Sequence, residues 1–416
     1  MRVRFVHAAD LHLDAPFVGL READEEVSAR LREATFRAYD RVIDLCLKER
    51  VDFAVFAGDV FNSQDRSLRA QVRFLGGLSR LAQNGIPALV AHGNHDPLSG
   101  WSPALEWPGL AHRFADQVES VPIVQQAETV CRVHGVSFPR RDVLVNLARS
   151  FRREAGDAPL AVGVLHTSVG THPEHAPYAP CSVDDLRAAG FDYWALGHIH
   201  ARQEVRRADP CVVYSGNTQG LNPNEPGVRG CYVVTLEQHA EPRVEFRPTS
   251  VVEWRRGVLS IADLPDEQAL IGAAERLIES VAADTQAELI LLRLRLEGMG
   301  GLHGRITPQD LTATLRDFGR AAPTTVWVES LELETRPPLD LEGLAEGDDF
   351  VGEFLRLANQ AAADEEMLAE LRGELAPLIN DPEVRRVADF TEEDLRRWVE
   401  RARIIGAEGL VEEREA

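Results

Sequence analysis

The chain has 416 residues, 44% of them apolar and 27% charged, and a formal net charge of -22. At roughly 150 residues per domain this length calls for two or three domains, and no run nears the roughly 20 apolar residues that a membrane-spanning helix needs. Five scattered cysteines (Cys46, Cys131, Cys181, Cys211, Cys231) without C-x-x-C spacing suggest neither a disulfide framework nor a structural zinc site.

The N-terminus, Met1 to Val6, runs straight into a strand-like pattern and lacks the long apolar region of a signal peptide, so a cytoplasmic location is expected. Short β-rich runs follow at Val3 to Ala8, Phe53 to Ala57, Ala88 to Ala91, Arg132 to Ser137, Ala161 to Leu165, Tyr193 to Leu196 and Cys211 to Tyr214. Helical spacing of Leu31, Ala34, Ala38, Val42 and Leu45 predicts a helix over about Glu25 to Arg50, and another spans about Leu68 to Gln83. The early connections read as β-α-β crossovers, and residues 1–248 form an α/β domain. A small α+β domain over 249–336 follows, with strands Glu253 to Leu259, Ala287 to Leu296 and Thr324 to Leu333 and helices Asp266 to Ala283 and Pro308 to Phe318. Arg336-Pro337-Pro338-Leu339 reads as a linker, because consecutive prolines stop regular structure. Residues 337–416 are acidic and helix-periodic, with apolar stripes at Phe350, Phe354 and Leu357 and at Leu368, Leu371 and Leu375.

A strongly negative chain is an awkward partner for nucleic acid, since Lys and Arg normally supply the nonspecific affinity for phosphate. The charge is unevenly placed, however: from Asp340 to the end there are 22 acidic and 9 basic residues. More than half of the excess therefore lies in a segment that need not touch substrate.

Five short motifs each follow a predicted strand: Asp10-Leu11-His12, Gly58-Asp59, Gly93-Asn94-His95-Asp96, the single His166, and Gly197-His198-Ile199-His200. In open α/β sheets, side chains at the carboxyl ends of different strands converge on one crevice. Two divalent ions about 3.5–4 Å apart need a bridging carboxylate, a mixed nitrogen and oxygen shell, and open positions for water and substrate. Asp59 suits the bridge. Asp10, His12, Asp59 and His200 are expected around one ion, and Asp59, Asn94, His166 and His198 around the other; His172 and His175 are competing candidates for the place of His166. Such ions activate water for in-line attack on phosphorus and offset the charge that builds on the phosphoryl oxygens. His95 then donates a proton or hydrogen bond near the leaving oxygen, and Asp96 is expected to orient His95 through its other ring nitrogen.

As an ordered set these residues resemble the calcineurin-like metallophosphoesterase signature over about the first 220 residues. Phe5-Val6-His7-Ala8-Ala9-Asp10-Leu11-His12-Leu13 and Gly58-Asp59-Val60-Phe61 look like SbcD-type DNA repair nucleases. Tyr178-Ala179-Pro180-Cys181 and Tyr193 to His200 are similar to the YhaO-like branch of that group. The resemblance implies a metallophosphoesterase α/β sandwich, Mn2+-dependent exo- or endonuclease activity on DNA in double-strand-break repair, and an SbcC-type SMC-like ATPase partner. It also implies a capping role for residues 249–336, partner docking by the helical tail, and a homodimer. Asn62 stands where some nuclease relatives carry a histidine. The competing readings are a small-nucleotide phosphodiesterase, against which the extra domain weighs, and a noncatalytic scaffold, against which the intact ligand set weighs.

Other chemistry-bearing residues have plainer readings. His7, His92 and His134 lie in or beside strands and are expected to be hydrogen-bonded core histidines. Asp14 fits a turn. Trp101 and Trp107 could stack on a base, although burial of their loop explains them as well.

Overall fold

A computed structural model describes the whole chain except residues 21, 64–66, 101–104, 155, 157, 171–176, 284, 380–390 and 416. In chain order the first elements are β1 (Arg2–Ala8), α1 (Glu25–Glu49), β2 (Phe53–Ala57), α2 (Leu68–Gln83), β3 (Ala88–Ala91), β4 (Ala111–Arg113), β5 (Glu119–Gln125) and β6 (Glu128–Gly135). Then come β7 (Leu160–His166), α3 (Val183–Ala188), β8 (Tyr193–Gly197), β9 (Gln203–Arg206), β10 (Cys211–Tyr214), β11 (Gly230–Glu237) and β12 (Arg243–Pro248). They form two six-stranded sheets, ordered β12-β11-β1-β2-β3-β4 and β5-β6-β7-β8-β10-β9. The central strands β1-β2-β3 and β6-β7-β8-β10 pair in parallel, which places the carboxyl ends of β1, β2 and β3 together and those of β7 and β8 together.

The side-chain period of two along each strand builds three layers. Val3 and Phe5 of β1 face the second sheet, sharing a core with Phe53, Val55, Val162, Val164, Tyr193 and Val213, while Val6 and Ala8 face α1 and α2. The outer face of the second sheet packs Leu165, Trp194 and Tyr214 against Leu186 of α3 and Phe191. Helix α1 begins at an Asp24 cap that accepts the Val27 amide, and it ends at Arg50 in the left-handed region. Three ion pairs tie it to α2, Arg69 with Glu33, Arg73 with Asp40 and Arg80 with Asp44. With guanidinium groups more than 40% exposed, such pairs are worth at most about 1 kcal/mol each. Fully buried Phe36, Tyr39, Phe56 and Phe74, at about 1.5–3 kcal/mol per large apolar side chain, therefore dominate the helix pairing.

A third, three-stranded sheet has the order β13-β14-β15, from β13 (Val252–Ser260), β14 (Leu289–Met299) and β15 (Thr325–Arg336), with α4 (Glu267–Ala283) and α5 (Pro308–Ala321) in the connections. Its Trp254, Leu289, Leu291 and Trp327 share a core with Val27, Leu31 and Ala34 of α1. Buried Gln219 joins the same junction, donating to the Val252 carbonyl and accepting the Val251 and Val252 amides. Contact density groups Met1–Leu259, Glu267–Leu296 and Ile306–Glu334 in one compact unit, and Ser260–Asp266, Glu297–Arg305 and Thr335–Ala416 in another.

The second unit holds α6 (Leu341–Ala345), α7 (Phe350–Ala363), α8 (Glu365–Glu374), α9 (Ala376–Ile379) and α10 (Glu392–Glu415). Asp340, Asp349 and Asp364 cap α6, α7 and α8. Val351, Leu355 and Ala407 form a small core with Leu339, Leu341 and Leu344.

Every strand and helix expected from the sequence is present, several with shifted ends and others with the expected bounds. Five strands are additional: β4, β5, β9, β11 and β12. Of these β11 matters most, because it pairs antiparallel with β1 along nearly its whole length and joins β12 to the first sheet.

Candidate metal centre

The site forms where the chain leaves β1, β2, β3, β7 and β8. The segments after β1 and β2 continue side by side: the amides of Asp10, His12 and Leu13 donate to the carbonyls of Gly58, Asp59 and Val60 at 3.1, 3.1 and 2.9 Å. That pairing brings Asp10 and His12 beside Asp59. Asp10, His12, Asp59 and His198 all have positive φ, between 43° and 101°. For residues other than glycine this costs on the order of 1–3 kcal/mol each and persists where surrounding structure enforces it. Glycine is required at Gly197, where a Cβ would lie 1.9 Å from the Ala57 carbonyl oxygen.

Neighbouring loops hold the carboxylates. The His198 amide donates to both Asp10 oxygens at 3.0 and 3.1 Å, and the His95 amide donates to Asp59 Oδ1 at 2.9 Å. His166, fully buried, directs Nδ1 at the Ala57 carbonyl at 3.1 Å. A carbonyl only accepts, so Nδ1 carries a proton, and once the ring is neutral Nε2 is the nitrogen left with a lone pair. That Nε2 lies 3.0 Å from Asn94 Oδ1 and 3.3 Å from Asp59 Oδ2. Similarly, His200 gives its Nδ1 proton to Glu225 Oε1 at 2.7 Å and turns Nε2 toward His12 Nε2, 3.0 Å away. Nitrogen and oxygen atoms able to ligate thus face one another in a buried space, an arrangement that fits cations between them. Ligand atoms of Asp10, His12 and His200 lie within 4.8 Å of one another, as do those of Asp10, Asp59 and His166.

Electrostatics express the same convergence. Burial pushes the Asp10 carboxyl up to about 6 against the pull of His166 and His200. Burial opposes charge on Asp59 too, but His166, through charge and hydrogen bond, holds its carboxyl far below the usual range. Desolvation would lower His166, yet Asp59, Asp10 and the Ala57 carbonyl raise it to about 9. Burial and the neighbouring His200 push His12 down to about 3.

Five of the seven expected ligands fall in these two groups of ligand atoms; Asn94 lies beside His166, and the His198 ring is 5.3 Å from that of His166. His95 stands with its ring 4.9 Å from that of His12, in an edge-on contact. The expected pairing of Asp96 with His95 is corrected: His95 Nδ1 is 2.9 Å from the Asn62 carbonyl oxygen. Asp96, with no exposed surface, instead accepts the amides of Val60, Phe61 and Gly93 and lies 2.8 Å from His92 Nδ1. Its carboxylate is drawn backward because it satisfies backbone donors that burial would otherwise leave unpaired, and it thereby locks the loop after β2 to the loop after β3. Asn62 acts on His95 through its backbone, so its side-chain identity does not set that ring.

His7 is a core histidine, bonded to Tyr193 and the Leu196 carbonyl. His92 is bonded to Asp96, and His134 is buried against Phe191. Asp14 accepts a hydrogen bond from Ser67 at 2.6 Å and has the positive φ of a turn residue. Trp107 packs edge-on against Phe74 with Arg113 over its ring, so it belongs to the core. Trp101, His172 and His175 lie outside the described residues. The sequence reading missed Glu225, the partner of His200, which sits in a turn-rich loop (Asn222-Pro223-Asn224-Glu225-Pro226-Gly227) without any motif.

Calcineurin-like phosphoesterases match residues 3–202, and the middle domain of metallophosphoesterase YhaO matches residues 254–336. An uncharacterized metallophosphoesterase YhaO of Bacillus subtilis is 33% identical over 408 residues, covering 96% of this chain and 96% of its own. A DNA double-strand break repair protein Mre11 of Methanopyrus kandleri is 26% identical over 420 residues, covering 83% of this chain and 87% of its own. Among solved structures, a dimetal phosphatase from Danio rerio aligns with 60% of this chain and 98% of its own at 12% identity and a TM-score of 0.33, too low to bear on the assignment.

In the metal-free protein His166 holds a proton up to about pH 9 and Asp10 up to about pH 6. A cation must displace those protons, so its apparent affinity rises with pH and binding releases protons. Calorimetric titration with Mn2+ at pH 6, 7 and 8.5 should show affinity increasing along that series; affinity independent of pH would contradict this electrostatic picture.

Proposed function

Because the chain belongs to the calcineurin-like metallophosphoesterase family, we propose that it hydrolyses phosphodiester bonds of DNA with two divalent ions, most naturally Mn2+, as an exo- or endonuclease of the SbcD type in double-strand-break repair. The observation that carries this reading is the facing set of buried nitrogen and oxygen atoms around Asp10 and Asp59. The likeness to a DNA double-strand break repair protein over 83% of the chain supports DNA as the substrate.

Asp10, His12, Asp59 and His200 would hold one ion, and Asp59, Asn94, His166 and His198 the other; family members use such divalent ions. When bound, the ions activate water and offset charge on the phosphoryl oxygens. His95, partly open to solvent, has its Nδ1 proton taken up by the Asn62 carbonyl. Its Nε2 is thereby left to accept a hydrogen bond, or to donate a proton toward a leaving oxygen once the ring is charged. The His95 amide also donates to Asp59 Oδ1, which ties the backbone of His95 to the carboxylate that would be shared by both ions. Residues 249–336 would cap the substrate beside the site in the proposed three-part organisation, with a homodimer as the working assembly.

The tail, residues 337–416, would dock an SbcC-type SMC-like ATPase. Phe350 and Leu357 of α7 and Ile405 of α10 are exposed, and docking would cover them.

End-labelled DNA and bis-p-nitrophenyl phosphate, incubated with Mn2+, Mg2+ or EDTA, test the catalytic reading. Wild type should cut both only with metal, His95→Ala should lose about 100- to 10,000-fold in turnover while keeping metal, and Asp59→Ala should lose both. DNA cleavage that survives EDTA or Asp59→Ala would overturn the proposal. Separately, deletion of residues 340–416 should leave diester hydrolysis within about threefold of wild type yet abolish capture of the ATPase in a pull-down; retained capture would place docking elsewhere.

A further inference from the structure

We infer that Glu225 is a positioning residue that fixes the ligating tautomer of His200, so that one of the two ions depends on it and the other does not. This inference rests on the two-ion reading above. Glu225 is 9% exposed, and both of its oxygens are engaged: Oε1 takes the His200 Nδ1 proton at 2.7 Å, and Oε2 accepts the Leu221 amide at 2.7 Å and Asn217 Nδ2 at 3.0 Å. The same loop holds the His200 backbone. Asn217 N and Arg229 Nη1 both donate to the His200 carbonyl, at 3.2 and 2.7 Å. At Gly216, with φ of 74°, a Cβ would stand 2.6 Å from that same oxygen.

His200 is therefore clamped at both ends, with one freedom left: which ring nitrogen carries the proton. An ionised carboxylate can only accept, so it draws the proton to Nδ1 and frees Nε2. The companion histidine, His166, has its tautomer set by the neutral Ala57 carbonyl. Hence an ion held by His200 and His12 would depend on a charged partner behind its histidine, and an ion held by His166 and Asn94 on a neutral one.

Glu225→Gln separates tautomer control from shape. The amide oxygen of glutamine would turn to the two donors, Leu221 N and Asn217 Nδ2, leaving its NH2 against His200 Nδ1. Nδ1 must then accept, and the proton moves to Nε2, the atom that should ligate.

The test is titration of the purified, chelator-treated full chain with Mn2+ by calorimetry, with 15N NMR of the histidine rings reporting the tautomer without metal. Wild type should bind two ions, with the neutral His200 ring as the Nδ1–H form. Glu225→Gln should bind one ion as wild type does and the other about 10- to 100-fold more weakly, with His200 as the Nε2–H form. Asn217→Ser, which removes a single donor to Glu225, should weaken the same ion by a smaller factor, and it serves if Glu225→Gln does not fold. Wild-type affinity at both positions with an unchanged tautomer in these variants would overturn the inference. A wild type that binds two ions but hydrolyses no diester overturns the functional reading and leaves this inference standing.

Discussion

The structure is organised around an electrostatic conflict that it does not resolve with its own residues. Asp10, Asp59 and His166 are buried together, and His12 and His200 point nitrogen at nitrogen across 3.0 Å. Burying an ionised carboxylate costs several kcal/mol even when it is partly paired, and two of them clustered with imidazoles would be a poor choice for stability alone. Protons satisfy part of this demand, as the raised Asp10 and His166 values show. Divalent cations held by these residues would satisfy the rest.

Much of the surrounding architecture keeps that conflict in place. Parallel β1 and β2 end side by side, and their continuations exchange three backbone hydrogen bonds before the chains part. Positive φ at four ligand-bearing residues of these loops is strain that isolated loops would relax. It persists because Asp96, Glu225 and the Ala57 carbonyl each hold a neighbouring group from behind. Asp96 binds the loops after β2 and β3 to each other; Glu225 and Ala57 set the tautomers of the two histidines.

The residues that gather at the site were legible in the sequence because each lies at or just after the end of a strand whose apolar run is unmistakable, and glycine marks three of the turns. Phe53–Ala57 and Ala88–Ala91, buried throughout, kept their expected bounds. What failed to show has physical reasons too. β5 alternates exposed and half-buried residues at a sheet edge, and β4 is only three residues long, so neither carries a clear periodic signal. Asp96 was misassigned because adjacency in sequence to His95 says nothing about direction: its carboxylate serves backbone amides 36 residues earlier. Glu225 was invisible because a partner that acts through a histidine 25 residues away leaves no local spacing to read. Trp254 and Trp327, likewise, look like parts of a separate domain in sequence but share a core with α1.

The most direct test of the central claim is anomalous diffraction from crystals grown with Mn2+. Two peaks about 3.5–4 Å apart should appear on either side of the Asp59 carboxylate, one beside His12 and His200 and the other beside Asn94 and His166. A single peak, or peaks away from Asp59, would contradict the account.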